Sequence, residues 1–220
     1  NSQGIKTTWS NTRSNITFVG TLKENQKSIL RDKQKIKKYK DLLLQENQKQ
    51  NLISRKQENN IDNHIKDCLS ISSHLSSNIM DLGTGGGLPG FPVGIDDKRK
   101  KLFLVDASHK KCSFLLHSKY LLGLENLHVI NKRGEDLRLK DFAEDMDIVT
   151  RAFGTAEKTI KTTKKLLENP NNQLKLMKTE EALKEEKIPK GYEVKKIEDL
   201  DSKDKYKRRI LVTIGLQKDA

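Results

Sequence analysis

A short apolar segment that runs into a cluster of glycines constrains this chain more than any other feature of its sequence. Residues 78–92 read Asn-Ile-Met-Asp-Leu-Gly-Thr-Gly-Gly-Gly-Leu-Pro-Gly-Phe-Pro. The apolar residues predict a buried strand that ends close to Asp81. Glycines permit left-handed backbone angles and close approach to a ligand, whereas Pro89 and Pro92 suit the first turn of a helix. A strand, a glycine turn and a helix start together predict a site for a cofactor that contains a nucleoside.

One interpretation of this loop is a dinucleotide site. Gly85, Gly87 and Gly90 satisfy the pattern G-x-G-x-x-G, which binds pyrophosphate at a helix start. The match is weak, because five glycines within eight positions satisfy many patterns. It also places Leu88 and Pro89 where the loop would have to approach a pyrophosphate.

A second interpretation is a site for S-adenosylmethionine. Read from Asp81, the letters form D-x-G-x-G. The carboxylate would lie near the ammonium and sulfonium groups of the cofactor, while the backbone at Gly83, Gly85 and Gly87 lets its amino-acid arm pass. Because no phosphate has to be neutralised, this interpretation is favoured over a dinucleotide site and over a glycine turn without a ligand.

A second apolar run, residues 101–106, ends in Asp106 about 20 residues after the loop. A carboxylate at this distance typically binds the hydroxyl groups of a ribose. Both candidate cofactors contain a ribose, so Asp106 does not separate them. The alternative is an ordinary strand-end carboxylate that caps the following helix.

The remaining pattern predicts the fold class. Residues 108–122 carry apolar side chains at helical spacing, and residues 128–130 form a third apolar run. Strands that alternate with helices in this way predict a doubly wound, Rossmann-like α/β sheet. Residues 22–77 are polar and rich in lysine with apolar residues at helical spacing, which predicts a basic helical extension packed on the sheet domain at 78–220. Residues 1–21 lack regular periodicity and are expected to form a poorly ordered arm.

The charge of the chain favours a polyanionic partner. The formal net charge is +13, and residues 1–78 contain 14 Lys and Arg against 7 Asp and Glu. Such a surface attracts nucleic acid through release of counterions. Part of the lysine excess is also explained by a general compositional bias. The cluster at 205–209 leads into an alternating strand at 210–214, which favours phosphate contact by Arg208 and Arg209 over a solvated strand end.

Several other classes of function are not favoured. No run approaches 18 apolar residues, so no membrane span is expected, and no secretion signal is apparent, so we expect a cytoplasmic protein. An organellar presequence stays open as an alternative. Cys68 and Cys112 lack the paired spacing of a zinc site or a disulfide framework. His64 stands four residues before Cys68, but two ligands do not make a metal site, and no metal is expected.

The letters from Asp81 to Pro92 resemble the signature of the RsmG (GidB) family, in which Leu-Pro-Gly-x-Pro follows the glycines. Upstream, Asn51-Leu-Ile53 and His64-Ile-Lys-Asp67 are similar to the Asn-Leu-Thr and Arg-His-x-x-Asp-Ser elements of the family. The resemblance covers residues 36–216 and continues downstream through Leu104-Val-Asp-Ala107, Lys110-Lys-Cys-Ser-Phe-Leu115, Leu124-Glu-Asn126, Arg133-Gly-Glu-Asp136 and Asp147-Ile-Val-Thr-Arg-Ala-Phe153. The chain departs from the family where Asn63 replaces arginine, Cys68 replaces serine and Thr179 replaces glycine.

This resemblance implies a class I S-adenosylmethionine-dependent methyltransferase that acts on N7 of a guanosine in small-subunit (16S) rRNA. It implies cofactor contacts at Gly83, Leu88, Gly134, Glu135 and Arg151. The expected partner is rRNA, either naked or within a 30S-type particle, and the protein is expected to be a monomer. Alternatives are a methyltransferase for another RNA or a protein, a noncatalytic ribosome-assembly factor that keeps a nucleoside pocket, and a dinucleotide oxidoreductase.

The expected chemistry needs no acid–base pair. Guanine N7 carries a free lone pair, so methylation removes no proton and depends on alignment of the reacting atoms. We therefore expect Arg151 to be the catalytic residue, through its position after a strand-like segment. Arg133, Lys178, Arg208 and Arg209 are predicted to contact RNA. Surface salt bridges are the alternative for Arg133, Arg209 and Arg151.

Overall fold

The structure, a computed structural model, describes residues 12–200 and 208–217, with side chains from residue 26 onward. Within this part of the chain the α-helices are α1 (Thr12–Gln50), α2 (Arg55–Glu58), α3 (Ile61–Ser70), α4 (Gly90–Asp96), α5 (His109–Leu122), α6 (Ala156–Thr163) and α7 (Glu180–Lys184). The strands are β1 (Asn78–Leu82), β2 (Lys101–Asp106), β3 (Leu127–Asn131), β4 (Asp147–Arg151), β5 (Gln173–Thr179), β6 (Tyr192–Leu200) and β7 (Arg209–Leu216). Short 3₁₀ turns occur at 72–74, 134–136 and 139–141.

All seven strands form one sheet in the order β3-β2-β1-β4-β5-β7-β6. The first five strands are parallel, and β7 inserts antiparallel between β5 and β6. The order reverses between β1 and its neighbours β2 and β4, where α/β sheets bind ligands at the carboxyl ends of the strands. The predicted Rossmann-like α/β fold with a helical amino-terminal region is confirmed.

The alternation of side chains along β1 divides the core into two layers. Ile79 packs in a cluster with α1, α3, α4 and α5, whereas Met80 and Leu82 pack in a second cluster with α6. Asp81 therefore points to the face that the amino-terminal helices cover.

The helix boundaries follow from local chemistry. The Ser108 hydroxyl accepts a hydrogen bond from the Lys111 amide at the start of α5, and Gly123 ends that helix at φ +57°, a left-handed angle that glycine adopts without strain. Thr179, at one of the departures from the family pattern, caps α7 by accepting from the Ala182 amide.

The predicted division at residues 21 and 77 stays a prediction. Residues 1–11 of the predicted arm lie outside the described residues, and α1 includes residues 12–21. In the described part of the chain, no helix combines the length and apolarity needed to cross a membrane.

Candidate functional site

The glycine loop, residues 83–89, leaves the carboxyl end of β1 at the reversal point of the sheet. The amides of Gly83 and Thr84 donate to the Val105 carbonyl of β2, at 2.8 and 3.0 Å. Gly83 and Gly85 have φ values of +71° and +58° and are half-exposed. Their backbone therefore forms the accessible surface of the loop, in a conformation that residues with a side chain rarely adopt.

The rest of the loop is buried. Gly87 has a φ of +102°, and a Cβ there would lie 2.7 Å from the Phe91 ring. Leu88 is buried as well. Glycine at 87 is thus required by packing within the protein, in addition to any contact with a cofactor, and the predicted contacts of Gly87 and Leu88 stay predictions.

The Asp81 carboxylate holds the glycine loop in place through two hydrogen bonds. Its Oδ2 accepts hydrogen bonds from the Thr84 hydroxyl and the Gly90 amide, both at 2.7 Å. Its Oδ1 is buried and has no hydrogen-bond partner among the described residues. Burial raises the pKa of Asp81 to about 6, although the two hydrogen bonds and the charge of Arg151 act in the opposite direction. A buried carboxylate oxygen without a partner fits a cationic ligand such as an ammonium or sulfonium group.

The Asp106 carboxylate also bonds the chain around the loop. Its Oδ2 accepts from the Gly85 amide at 3.0 Å, and its Oδ1 accepts from the Ser108 amide at 2.9 Å. Lys111 Nζ lies 3.8 Å from Oδ2. Asp106 therefore links the glycine loop to the start of α5, as the capping alternative predicts. Its predicted contact with a ribose is not tested by this geometry.

Helix α1 contacts the loop directly, through a residue that the sequence pattern did not single out. The Tyr39 hydroxyl donates to the Gly86 carbonyl at 2.8 Å, and its ring stacks on Phe91 with centroids 4.8 Å apart. Tyr39 is completely buried. A Cβ on Gly86 would lie 2.7 Å from Leu43 Cδ1 of the same helix. Helix α1 thus packs directly against the glycine loop at Gly86.

Replacing Tyr39 by phenylalanine should weaken cofactor binding by about 3- to 10-fold. The change removes one net hydrogen bond of about 1 kcal/mol and leaves the Gly86 carbonyl unpaired, so binding must order a looser loop. Calorimetric titration with S-adenosylmethionine measures this directly. Tyr120→Phe is the matched control, because Tyr120 is 84% exposed on α5. Equal affinities for the two variants would contradict a role of Tyr39 in holding the loop.

Arg151 ends β4 and lines a cavity. Its guanidinium Nη2 contacts His64 Nδ1 of α3. Burial lowers the pKa of His64 to about 4, with further lowering by Arg151 and Arg209. His64 is therefore neutral at pH 7, and because arginine only donates, its Nδ1 is the acceptor. The next residue, Ala152, has a φ of +56°, a strained angle for a residue with a side chain that is often found at functional sites.

The cavity beside Arg151 has a volume of about 420 Å³, within the usual range of about 300–1,000 Å³ for small-molecule sites. Two segments separate it from the glycine loop. The first segment is residues 51–54. Its Ser54 lines the cavity, and its Leu52 carbonyl oxygen would lie 3.7 Å from a Cβ added to Gly85 of the loop. The second segment is residues 151–153. Its Arg151 lines the cavity, and its Phe153 ring would lie 2.4 Å from a Cβ added to Gly83 of the loop. We call this space the substrate cavity.

Two of the four residues predicted to contact RNA, Arg209 and Lys178, line the substrate cavity. Arg209 begins β7 opposite Thr179, and its Nε is 3.7 Å from Asp67 Oδ2 in the substrate cavity. Lys178 also lines the cavity, but its Nζ donates to the Gly154 carbonyl at 2.8 Å and pairs with Glu186. Its availability to RNA is therefore limited.

The other two predicted RNA-binding arginines lie further out. Arg208 is paired with Asp199 and Glu180 in surface salt bridges. Arg133 is exposed and immediately precedes the 3₁₀ turn at 134–136 after β3. Within that turn Glu135 is exposed, and a Cβ on Gly134 would lie 2.4 Å from Thr162 Cγ2. Glycine at 134 thus lets the turn pack against α6, and the predicted cofactor contacts of Gly134 and Glu135 stay predictions.

The structure therefore collects the predicted residues at one edge of the sheet, the carboxyl ends of the parallel strands. Residues that the sequence argument did not assign to the site are Tyr39, Phe153, His64 and Asp67. The last two belong to the segment that resembles the family's Arg-His-x-x-Asp-Ser element, which was the available signal. In the described part of the chain, no group of three or more His, Cys, Asp and Glu side chains is arranged to hold a metal ion.

Comparison with known proteins identifies relatives along most of the chain. The sequence profile of the GidB family, described as rRNA small subunit methyltransferase G, matches residues 32–211. A ribosomal RNA small subunit methyltransferase G from Brachyspira hyodysenteriae is 31% identical over 207 residues, which cover 90% of this chain and 96% of the relative. A protein of the same name from Ruthia magnifica is 32% identical over 165 residues, which cover 74% of this chain and 79% of the relative.

Proposed function

The chain belongs to the GidB family, rRNA small subunit methyltransferase G, and we propose that it methylates N7 of a guanosine in small-subunit rRNA. It is an rRNA methyltransferase that uses S-adenosylmethionine. One observation supports the proposed reaction above the others: the half-exposed glycine loop and the substrate cavity lie on either side of the segments 51–54 and 151–153. A cofactor on the loop and a base in the cavity would therefore be neighbours.

S-adenosylmethionine supplies a methyl group on a positively charged sulfur, and the residues of the chain bind and orient it. We propose that Asp81 holds the loop in shape and stabilises the positive charge of the cofactor, while Gly83 and Gly85 offer a flat backbone surface. We also propose that Asp106 adds a ribose contact. The further cofactor contacts proposed from the family resemblance are Gly87, Leu88, Gly134, Glu135 and Arg151.

The proposed reaction needs no general base, and the pKa values of the titrating groups around the site agree with this. Guanine N7 attacks through a lone pair, so no proton leaves in the transfer step. The pKa of Asp81 is about 6 and that of His64 is about 4. Both pKa values lie below the range of about pH 6.5 to 9 in which a general base at neutral pH would titrate.

The rate of the chemical step should accordingly be nearly flat between about pH 6.5 and 9. The affinity of the free protein for S-adenosylmethionine, measured by calorimetric titration, should fall below about pH 6, because protonation of Asp81 removes the negative charge next to the cofactor and its raised pKa places this loss near pH 6. Single-turnover rates at saturating RNA measure the pH profile of the chemical step. A steep limb within pH 6.5–9 would show that a titrating group takes part and would contradict transfer by alignment alone.

For the partner, we propose small-subunit rRNA or a 30S-type particle, bound by a monomer in the cytoplasm. The net charge of +13 and the arginines at the carboxyl edge support contact with RNA phosphates. Incubation with labelled S-adenosylmethionine and undermethylated small subunits, in parallel with naked rRNA, tests the target and the particle. Label mapped to N7 of one guanosine is the expected result. Label on another atom or RNA, or cofactor binding without transfer, would overturn the proposal.

A further inference from the structure

We propose that Glu186 is a positioning residue for methyl transfer, and that Lys178 acts as its partner instead of contacting RNA phosphate. Together they fix the β4–α6 connection, residues 152–155, which follows Arg151 at the end of β4. The inference rests on the proposed function, in which the cofactor lies on the glycine loop and the base lies in the substrate cavity.

The Glu186 carboxylate makes two contacts from its place after α7. Its Oε2 accepts a hydrogen bond of 2.6 Å from the amide of Ala156, the first residue of α6. Its Oε1 pairs with Lys178 Nζ of β5. Lys178 Nζ in turn donates to the Gly154 carbonyl at 2.8 Å. The Glu186–Lys178 pair therefore holds the chain both within the β4–α6 connection and at its end.

The Glu186–Lys178 pair is shielded from water. The side chain of Glu186 is 7% exposed and that of Lys178 is 16% exposed. Removal of one partner from such a pair leaves the other charge buried and unpaired, which is costly. A phosphate contact would require Lys178 Nζ to leave the Glu186 carboxylate and would incur the same cost. The buried pair thus favours a structural use of Lys178.

The β4–α6 connection needs restraint because its first residue has an unfavourable backbone angle. Ala152 has a φ of +56° and is exposed, so packing of its own side chain does not hold it there. Residues with a side chain keep such angles only where the surrounding structure imposes them. Sheet pairing of Arg151 with Met177 fixes the chain before Ala152. The Glu186–Lys178 pair fixes it afterwards.

Groups on both sides of the proposed reaction depend on the position of this connection. Arg151 lines the substrate cavity. Phe153 packs against the glycine loop, where its ring would lie 2.4 Å from a Cβ added to Gly83. A shift of the connection would therefore change the alignment of cofactor and base. A misplacement of about 1 Å can cost about 100-fold in rate, so alignment is the property that the Glu186–Lys178 pair controls.

The test measures single-turnover methylation of undermethylated small subunits at saturating cofactor and substrate. Glu186→Gln and Lys178→Met should each lower the rate by about 10- to 100-fold. Lys175→Met is the matched control, because Lys175 lies on the same strand with a side chain only 10% exposed. Its Nζ likewise donates to a backbone carbonyl, that of His74 at 2.9 Å, and lies 3.7 Å from a carboxylate, that of Asp147.

The contacts of Lys175 lie at the start of β4, at the opposite edge of the sheet from the substrate cavity. Lys175→Met therefore removes a comparable buried contact without disturbing the β4–α6 connection. Because distant sites act independently, its rate should stay within about threefold of the parent value. Thermal unfolding of the three variants measures the loss of stability that they share.

Further measurements separate positioning from folding and from RNA binding. Calorimetric titration with S-adenosylmethionine verifies that each variant is folded. Should Lys178→Met or Glu186→Gln fail this check, Lys178→Arg takes its place, and its rate should fall at least about threefold because the charge stays while the geometry changes. The double variant Lys178→Met/Glu186→Gln should be about as slow as the slower single variant, since both changes break one contact.

A parent-like rate in Glu186→Gln would overturn the inference, as would a loss in Lys175→Met as large as the loss in Glu186→Gln. If Lys178 instead contacts a phosphate, Lys178→Met would lower the slope of log RNA affinity against log salt by about one unit and keep its rate at saturating RNA. That result would also overturn the inference. Label that the parent protein places on an atom other than guanine N7 would instead refute the proposed function.

Discussion

Valine at position 85 should abolish binding of S-adenosylmethionine, whereas valine at position 123 should leave it intact. The two glycines have nearly the same backbone angle, with φ values of +58° and +57°. Around Gly85 the nearest atom to an added Cβ is the Leu52 carbonyl oxygen at 3.7 Å, and around Gly123 no atom lies within 4 Å. The protein itself therefore has space for a Cβ at both positions, and both variants incur a similar cost of about 1–2 kcal/mol for the left-handed angle.

Only the Gly85 variant places a branched side chain on the accessible surface of the glycine loop. Titration calorimetry with S-adenosylmethionine measures the affinity, and thermal unfolding measures the shared loss of stability. Cofactor affinity that is unchanged in Gly85→Val would contradict the assignment of the loop. Gly83 is a poorer site for this test, because a Cβ there would lie 2.4 Å from the Phe153 ring and would disturb the protein before any cofactor was added.

The strand, the glycine loop and the helix start could be predicted because each depends on residues that are close in sequence. The apolar run of β1, the glycines at left-handed angles and the helix start near Pro89 follow from local sterics. The hydrogen-bond partners of Asp81 and Asp106 could not be predicted in this way. Both carboxylates stand at strand ends as expected, but they bind backbone amides of the loop and of the following helix starts, including Gly90 and Ser108.

The residues brought in by tertiary structure were the ones that sequence reasoning missed. Tyr39 has the helical spacing of an ordinary core residue, and nothing in the pattern shows that its hydroxyl reaches Gly86, 47 positions away. His64 and Arg151 are 87 residues apart and meet only because α3 packs beside the end of β4. Pairing in the sheet places Arg209 opposite Thr179, which brings its guanidinium into the substrate cavity, whereas the adjacent Arg208 binds Asp199 and Glu180.

Arg151→Ala should reduce the single-turnover rate by about 100-fold even at saturating RNA. Arg151 is half-buried between the glycine loop and the substrate cavity: its charge acts on Asp81, and its guanidinium contacts His64. A small misplacement of reacting groups costs about this factor in rate. Arg151→Lys keeps the charge but loses the planar donor fork, so it should recover only part of the rate. A rate in Arg151→Ala equal to that of the parent protein would show that the residue does not align the reaction.

Arg209→Ala should act differently, on RNA affinity and its salt dependence. Its side chain is 32% exposed at the mouth of the substrate cavity, where contact with one phosphate is the simplest use of the guanidinium. Loss of that contact lowers the slope of log affinity against log salt by about one unit and leaves the affinity for S-adenosylmethionine unchanged. Arg99→Ala is the control, because Arg99 is exposed just before β2, at the opposite edge of the sheet. RNA affinities of Arg209→Ala and the parent protein at three salt concentrations test this prediction. Parallel slopes for the two proteins would exclude the phosphate contact, because a side chain that only pairs with Asp67 releases no counterions from RNA.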